Sequence, residues 1–408
     1  MLLKKGRSLM SCTNTNEMIK KANASIMYTT NRPDIVFEKG KGSYLWDLNG
    51  DKYLDMIQGW AVCCLGHCAP VMQKALREQS ELLINPSPSY YNVPAIELAE
   101  LLTSISCMDK VFFINSGAEA NEGAIKLARK YGSKYKNGAY EIITAKNSFH
   151  GRTLATMSAS GKEKWKDIYA PKVDGFIWAE YNNIDDIRKN ISDKTCAIML
   201  ELVQGEGGVI ESEKDYVKEI RRICDENDIL LIIDEVQTGI GRLGTMFGYE
   251  LYDIEPDIMT LAKGIGGGVP LSAVLAKDRV CCFEVGDQGG TYSMTPIATA
   301  VGLSVVKEII DKDILSNVNE VGSYFRAELD KLADSYKIVC GTRGKGLLLA
   351  LAFEGADCSA IQAECLKNKL IINSPNKNTL RFMPALNITK EEVDECIAIL
   401  RSVLGKFN

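Results

Sequence analysis

A lysine followed by a glycine-rich run is the part of the sequence with the clearest chemical meaning. Lys263 comes just after the apolar run 257–261 and before residues 264–268, four of which are glycine. An amine held at the end of a buried strand loses hydration, which lowers its pKa and makes it nucleophilic. A lone lysine before a glycine turn is more often solvated, so the interpretation depends on its neighbours.

An acidic residue ends the preceding apolar run of the chain. Asp234 follows residues 229–233, where an ionised carboxylate is costly without a cationic partner. The protonated ring nitrogen of a cofactor is one such partner, and a structural ion pair is the alternative. Because ligands of open α/β sheets bind at the carboxyl ends of strands, Asp234 and Lys263 are expected to face one site.

A turn of small residues follows the apolar run 110–114. Ser116, Gly117 and Ala118 stand there, before a stretch with helical periodicity. The free N–H groups and the positive end of such a helix can hold a phosphate, and the Ser116 hydroxyl adds a donor. An ordinary helix cap is the other interpretation.

The strand expected at 140–144 leads to a loop that contains Phe149 and Arg152. The phenyl ring can stack on a planar molecule, and the guanidinium can pair with a carboxylate. Taken alone, this segment also fits an ordinary loop.

Residues 239–244 match the dinucleotide-binding pattern G-x-G-x-x-G. In such a site the first glycine directly follows a strand and a helix begins at the third. Here residues 234–238 intervene, and residues 245–249 lack a helical stripe. A dinucleotide-dependent oxidoreductase is therefore only a distant alternative.

The elements that must position these residues alternate along the chain. Apolar strands separated by helical stretches predict an α/β fold with a mostly parallel sheet. A smaller α+β domain is expected to draw on both termini. The predicted divisions are residues 1–58 for an N-terminal arm and part of the small domain, 59–300 for the large cofactor-binding domain, and 301–408 for the C-terminal part.

Composition excludes several classes of function. The net charge of −5 does not indicate a nucleic-acid partner, and no apolar run reaches transmembrane length. Two histidines cannot build a His-rich metal site, and thirteen cysteines without a repeated C-x-x-C pattern indicate reduced thiols. The N-terminus has no signal-peptide core, so a cytoplasmic protein is expected. From the histidine and cysteine counts, no metal site is expected.

Together, the motifs resemble those of class III aminotransferases, pyridoxal-phosphate (PLP) enzymes of fold type I. The resemblance extends from about residue 25 to the C-terminus, and it implies a mostly parallel sheet of seven strands in the large domain. The motifs are Ser-Gly-Ala-Glu-Ala-Asn (116–121), Phe-His-Gly-Arg (149–152), Glu-x-x-Gln-Gly-Glu-Gly-Gly (201–208), Asp-Glu-Val-Gln-x-Gly-x-Gly-Arg (234–242) and Leu-x-Lys-Gly-x-Gly-Gly-Gly (261–268).

The resemblance implies a role for each matched residue. Lys263 would hold PLP as a Schiff base and move a proton, and Asp234 would keep the pyridine nitrogen protonated. Gln237 would lie by the phenolic oxygen and Phe149 on the ring face. The phosphate would be bound at residues 116–118. Thr291 would reach the phosphate of a neighbouring subunit, which implies a homodimer with shared active sites.

Further stretches resemble the class members that move the δ-amino group of N2-acetylornithine to 2-oxoglutarate in arginine biosynthesis. Arg381 would bind the α-carboxylate of glutamate or 2-oxoglutarate, and Arg152 the carboxylate at the other end. Glu201 would pair with Arg381 when the substrate presents an ω-amine. The stretches are residues 31–33, 58–62, 65–67, 85–88, 286–292 and 380–384.

Some positions depart from the family pattern and leave the amine donor open. Met294 and Thr295 replace Gly and Asn, the pair Cys63-Cys64 replaces Asn and a small residue, and Ala69 replaces a second His. Ornithine, succinylornithine or 4-aminobutyrate is the alternative donor, and succinyl-diaminopimelate is a plausible second substrate. A PLP-fold protein that only binds partners is disfavoured because Lys263 and Asp234 are both present.

Overall fold

The computed structural model describes residues 14–165 and 167–407. Seventeen β-strands lie within these residues. The strands are β1 (Phe37–Lys41), β2 (Tyr44–Asp47), β3 (Lys52–Asp55), β4 (Lys110–Ile114), β5 (Glu141–Ala145), β6 (Phe176–Ala179), β7 (Thr195–Leu200), β8 (Val203–Gln204), β9 (Ile210–Glu211), β10 (Leu230–Asp234), β11 (Ile258–Leu261), β12 (Ser272–Ala276), β13 (Val339–Lys345), β14 (Leu348–Phe353), β15 (Leu370–Ile371), β16 (Asn373–Asn376) and β17 (Thr379–Phe382).

The same residues form twelve α-helices, of which the second is a single irregular turn. The helices are α1 (Thr15–Ser25), α2 (Gln58–Ala61), α3 (Pro70–Leu82), α4 (Val93–Ser104), α5 (Gly117–Tyr135), α6 (Leu154–Ala159), α7 (Ile184–Asn190), α8 (Lys214–Glu226), α9 (Pro296–Asp311), α10 (Ile314–Ser335), α11 (Cys358–Lys367) and α12 (Lys390–Leu404).

The central sheet has seven strands in the order β4-β12-β11-β10-β7-β5-β6. Only β12 runs antiparallel to its neighbours, so the predicted mostly parallel sheet is confirmed. Every residue of β7, β10 and β11 is buried. Burial on both faces explains why these strands are continuous apolar runs in the sequence.

Two four-stranded sheets and the two-stranded sheet β8-β9 lie outside this layer. One has the order β1-β2-β3-β15, in which β15 pairs in parallel with β3 and so joins the two ends of the chain. The other, β13-β14-β17-β16, is antiparallel and comes from the C-terminal segment. The domain limits themselves stay a prediction, and residues 1–13 of the expected arm lie outside the described residues.

Two expectations about single elements differ from the structure. The edge strand β6 was not predicted, because four residues after Gly175 carry too short a pattern. The long helical stretch after residue 298 is two helices, α9 and α10, which are separated by Asp313 in a left-handed conformation (φ 48°). None of the helices in the described ranges combines the length and apolarity needed to cross a membrane.

The glycine pattern at 239–244 forms turns with no helix beginning at its third glycine. Arg242 of this pattern is buried and donates hydrogen bonds to the carbonyls of Leu347 (2.9 Å) and Pro384 (2.7 Å). The loop therefore fastens the central sheet to the C-terminal segment, and the dinucleotide-binding alternative does not fit.

Candidate active site

A cavity of about 510 Å³ opens at the carboxyl ends of the central strands. It brings together nine of the eleven residues that the sequence predicts for the site. These are Ser116, Gly117, Ala118, Phe149, Arg152, Glu201, Asp234, Gln237 and Lys263. The parallel order of β5, β7, β10 and β11 places their ends at one edge, as expected for an open α/β sheet.

Lys263 begins a short 3-10 turn, Lys263–Gly266, directly after β11. Its own backbone is left-handed (φ 50°), and so is that of Gly267 (φ 56°), where a Cβ would lie 2.7 Å from Met72 Sδ. This sharp turn explains the glycines and directs the lysine into the cavity. Desolvation, together with the nearby Arg381 charge, lowers the pKa of Lys263 to about 8, as a nucleophilic amine requires.

Asp234, the last residue of β10, is only 4% exposed. Its Oδ2 accepts hydrogen bonds from Asn121 Nδ2 (2.7 Å) and lies 2.8 Å from His150 Nδ1, while Oδ1 accepts from the Val236 amide (3.0 Å). Asn121 is itself held by Thr260, whose hydroxyl donates to Asn121 Oδ1 (2.8 Å). The carboxylate is therefore fixed in orientation at the cavity wall.

Asn121 and His150 support this carboxylate, but neither was predicted to be a site residue. Asn121 lies on the face of α5 that is otherwise lined by buried small and apolar residues. A buried amide on such a face must find partners, and that pattern was a signal in the sequence. His150 follows Phe149 directly and is 1% exposed.

The N-terminus of α5 supplies a site for a phosphate. Ser116 caps the helix, and its hydroxyl bonds to Glu119, so the capping interpretation is correct in itself. The amides of Gly117 and Ala118 lie in the first turn, where an α-helix offers no carbonyl to receive them. Both residues line the cavity, so cap and anion site coexist.

Phe149 and Arg152 also line the cavity. The Phe149 ring lies beside Trp165, with centroids 5.9 Å apart, and the Arg152 guanidinium carbon is 5.8 Å from the Phe149 ring. The Phe149 amide donates to Glu201 Oε2 (2.8 Å). This bond orients the carboxylate of Glu201, whose burial raises its pKa to about 7.

Arg381 pairs with a different glutamate from the one expected. Its Nη2 lies 2.7 Å from Glu206 Oε1, whereas Glu201 bonds to the Phe149 amide, so the expected Glu201–Arg381 pair was wrong. Both glutamates belong to the motif at 201–208, and their five-residue spacing left the choice open. Burial would raise the pKa of Glu206, but Arg381 outweighs it and the pKa is lowered.

Arg381 itself lies behind the cavity wall and is fully buried. Its guanidinium also donates to Asn373 Oδ1 (2.6 Å) and to Gln237 Oε1 (3.3 Å). Gln237 and Glu206 both line the cavity, so two direct partners of the arginine face the space in which a ligand would bind.

Thr291 is the remaining predicted residue, and it lies outside this cavity. It is exposed, and its carbonyl accepts a hydrogen bond from Asn85 Nδ2 (3.2 Å). Its expected contact with a phosphate of a neighbouring subunit stays a prediction.

The profile of the aminotransferase class-III family matches residues 27–404. The chain belongs to the class-III aminotransferases. It is 54% identical to the acetylornithine aminotransferase of Ralstonia nicotianae, covering 93% of this chain and 97% of that relative. It is 44% identical to the acetylornithine aminotransferase of Methanocaldococcus jannaschii, covering 92% and 95%.

Solved structures of class-III aminotransferases have the same fold. The ornithine aminotransferase of Toxoplasma gondii superposes with a TM-score of 0.93 at 28% identity, covering 97% of this chain and 96% of the other. The acetylornithine aminotransferase of Elizabethkingia anophelis gives a TM-score of 0.87 at 31% identity, covering 96% and 99%. The resemblance inferred from the motifs is confirmed, as is the assignment as an enzyme.

PLP is the cofactor of this class-III aminotransferase, and the cavity residues fit it. Among the described residues, the only ion-pair partner of the buried Asp234 carboxylate is His150, so a ring nitrogen that carries a proton suits the opposite side. Lys263 offers an amine of lowered pKa, and the first turn of α5 offers amides for a phosphate. The groups therefore match an aldehyde, a pyridine and a phosphate on one small molecule.

Proposed function

We propose that the enzyme transfers the δ-amino group of N2-acetylornithine to 2-oxoglutarate, giving N-acetylglutamate 5-semialdehyde and glutamate in arginine biosynthesis. The observation that carries this proposal is the ion pair between Arg381 and Glu206 beside Lys263. The names of relatives that are 43–54% identical support the same substrate.

An arginine with a movable counter-ion suits an enzyme whose two substrates differ at the reacting end. N2-acetylornithine presents an uncharged carbon chain with an amine, and Glu206 then keeps Arg381 neutralised. Glutamate and 2-oxoglutarate present an α-carboxylate, which replaces Glu206 in a bidentate pair with the guanidinium. One pocket can therefore accept both without leaving a buried charge unpaired.

The far end of both substrates carries a carboxylate. In N2-acetylornithine it is the α-carboxylate, and in 2-oxoglutarate it is the γ-carboxylate. Arg152 lines the cavity beside Phe149, which supports a role for it in binding either carboxylate. Glutamate and 2-oxoglutarate are then held at both ends, by Arg381 and by Arg152, and N2-acetylornithine is held at its far end by Arg152.

Residues of the protein transfer the proton and stabilise the charge on the cofactor ring. When bound, PLP withdraws electrons from the substrate carbon that bears the nitrogen. The Lys263 amine, with its pKa of about 8, is the base that takes the proton from that carbon and returns it on the other side of the transfer. Asp234, oriented by His150 and Asn121, stabilises a proton on the ring nitrogen.

Competing donors test the proposal directly. The holoenzyme should be assayed with 2-oxoglutarate and, in turn, with N2-acetylornithine, ornithine, succinylornithine and 4-aminobutyrate. We expect the highest kcat/KM with N2-acetylornithine and no turnover in Lys263→Ala. A higher kcat/KM with another donor would replace the proposed substrate by that donor while leaving the class-III assignment intact.

The proposal includes a homodimer with shared active sites. The segment that contains Thr291 is fastened to the loop before α4, since Asn85 and Asn92 donate to the carbonyls of Thr291 and Met294. This joined region exposes several large side chains. They are Ile84, Tyr90, Tyr91, Val93, Ile96 and Tyr292. Contiguous exposed apolar groups of this kind favour an interface with a second copy.

A cytoplasmic location completes the proposal. All twelve cysteines of the described residues are unpaired, and burial raises the pKa of the thiol in all seven of the buried ones. Such thiols are typical of a reducing compartment.

A further inference from the structure

Two cations share one pair of aromatic rings at the rim of the active site. Lys162 Nζ lies 5.1 Å from the centroid of Phe149 and 5.4 Å from that of Trp165. The Arg152 guanidinium carbon lies 5.8 Å and 5.4 Å from the same centroids. Trp165 is only 8% exposed, so the rings form a fixed platform. Attraction to the rings keeps both cations at that place.

Burial disfavours the positive charge of Lys162 at this place. Burial lowers the pKa of Lys162, while Glu206 and Glu201 act in the opposite direction and Arg152 adds repulsion. Among residues 14–165 and 167–407, neither Lys162 nor Arg152 has a carboxylate within ion-pair distance. Two neighbouring cations without anionic partners make a site where an incoming anion gains from both.

We infer that Lys162 is a specificity-determining residue that acts with Arg152 on the carboxylate at the far end of the substrate. The inference rests on the proposed function, because that function places a carboxylate beside Arg152 in both halves of the reaction. Phe149 and Arg152 line the cavity. The Lys162 ammonium group lies over the Phe149 ring, and it is therefore at the same end of the cavity as Arg152.

A purely structural role makes a different prediction for the same lysine. If Lys162 only covered Phe149 and Trp165, its replacement would lower stability or kcat for every substrate alike. If it binds the far carboxylate, its replacement acts only on substrates that carry one. The diamine 1,4-diaminobutane has the same four-carbon amine chain as N2-acetylornithine and no carboxylate, so the two donors separate these roles.

The experiment compares Lys162→Met with the unaltered holoenzyme. Methionine keeps an apolar stem on the rings and removes the charge. We expect the ratio of kcat/KM for N2-acetylornithine to that for 1,4-diaminobutane to fall about tenfold, the size of one charge-assisted contact. The change should appear in KM rather than kcat, and KM for 2-oxoglutarate should rise by a similar factor. Lys162→Arg should restore most of the ratio.

The exposed neighbour Lys164 provides the matched control. Lys164→Met removes the same charge at an exposed position, the residue before Trp165 in the chain. It should leave the donor ratio unchanged. If Lys162→Met does not fold, Lys162→Gln serves in its place with the same expected ratio.

Binding of glutarate to the holoenzyme gives a measurement without turnover. Glutarate has both carboxylates of 2-oxoglutarate and no reacting carbonyl, and calorimetry should give a roughly tenfold weaker Kd for Lys162→Met. An unchanged donor ratio or an unchanged glutarate Kd overturns the role of Lys162. Absence of N2-acetylornithine turnover in the unaltered enzyme would instead contradict the proposed function, so the two failures are distinct.

Discussion

Arg381 Nη2 lies 2.7 Å from Glu206 Oε1, and the arginine has no exposed surface. A buried guanidinium is costly without a counter-ion, so every state of the enzyme must supply one. In the proposed function, the Glu206 carboxylate occupies the position that the α-carboxylate of an amino acid takes, which makes Glu206 a determinant of substrate choice.

The substitution Glu206→Gln should change which substrates the enzyme prefers. Without the carboxylate, the Arg381 charge is left for the substrate to neutralise. We expect KM for 2-oxoglutarate to fall and kcat/KM for N2-acetylornithine to drop, so that their ratio shifts roughly tenfold toward the α-carboxylate substrate. Separate measurement of the two half-reactions by stopped-flow absorbance checks this.

Glu213 is a suitable control for that substitution. It is an exposed glutamate just before α8, and its side chain makes no cap hydrogen bond. Glu213→Gln should leave both half-reactions unchanged. An equal loss for both substrates in Glu206→Gln would show that the glutamate serves stability alone.

The substitution Asp234→Asn should abolish useful activity while the protein stays folded. Asparagine can keep hydrogen bonds near Asn121 but provides no negative charge to a protonated ring nitrogen. We expect kcat to fall about a hundredfold or more and PLP to dissociate faster on dialysis. The change in kcat is measured at saturating PLP so that cofactor loss does not obscure it.

Another buried carboxylate separates this effect from general destabilisation. Asp47 accepts hydrogen bonds from the Asn49 and Asp51 amides and from the Tyr53 hydroxyl, in a turn between β2 and β3. Asp47→Asn should lower Tm by a few degrees and leave kcat near that of the unaltered enzyme. If both variants lose kcat equally, Asp234 has no special part in the chemistry.

Much of the site could be predicted because parallel strands end together. Each apolar run marks a strand, and the residue after it must reach the same edge, so Lys263, Asp234, Ser116 and Phe149 could be placed without coordinates. The family, the cofactor and the number of strands were implied by the resemblance of the motifs to class III aminotransferases, and the order of the strands was not predicted. What remained undetermined was which side chains meet across loops.

The arginine pair illustrates that limit. Glu201 and Glu206 stand in one motif, and only the path of the chain through β8 turns the second toward Arg381. The support of Asp234 by His150 likewise joins residues 84 positions apart. Lys162 belongs to none of the motifs. Its proposed role depends on contacts with the rings of Phe149 and Trp165, which are not adjacent in the sequence.

The buried carboxyl of Glu201 should make the stability of the folded protein depend on pH. Burial raises its pKa from 4.5 to about 7, so between these values the folded protein holds more protons than the unfolded chain. Folding stability from this group therefore falls as pH rises through that window. Glu201→Gln removes the ionisation and should be more stable than the unaltered enzyme at pH 8, by on the order of 2–3 kcal/mol.

Urea denaturation at pH 4 and pH 8 measures this difference. The two proteins should be close at pH 4, where Glu201 is neutral in the fold, and should separate at pH 8. Glutamine still offers an oxygen to the Phe149 amide, so the hydrogen bond is retained in the comparison. A difference in unfolding free energy that does not change with pH would contradict the raised pKa.

Thr291 tests the shared active site. If it reaches the phosphate bound by a second subunit, Thr291→Ala should weaken PLP binding about tenfold, although it lies outside the cavity of its own chain. Equilibrium dialysis with PLP measures the change. Thr295 provides the comparison, because it is a buried threonine whose hydroxyl donates a hydrogen bond within its own turn. Thr295→Ala should affect stability more than PLP affinity.

Hybrid dimers decide between a shared site and an indirect effect. In a dimer of one Lys263→Ala subunit and one Thr291→Ala subunit, one site combines both defects, and the other combines the unaltered Lys263 with the unaltered Thr291. Mixing equal amounts of the two inactive or weakened proteins at low PLP, under conditions that exchange subunits, should therefore restore one site in each hybrid dimer, or about a quarter of all sites when the subunits exchange at random. A mixture no more active than its parts would mean that Thr291 serves only its own chain.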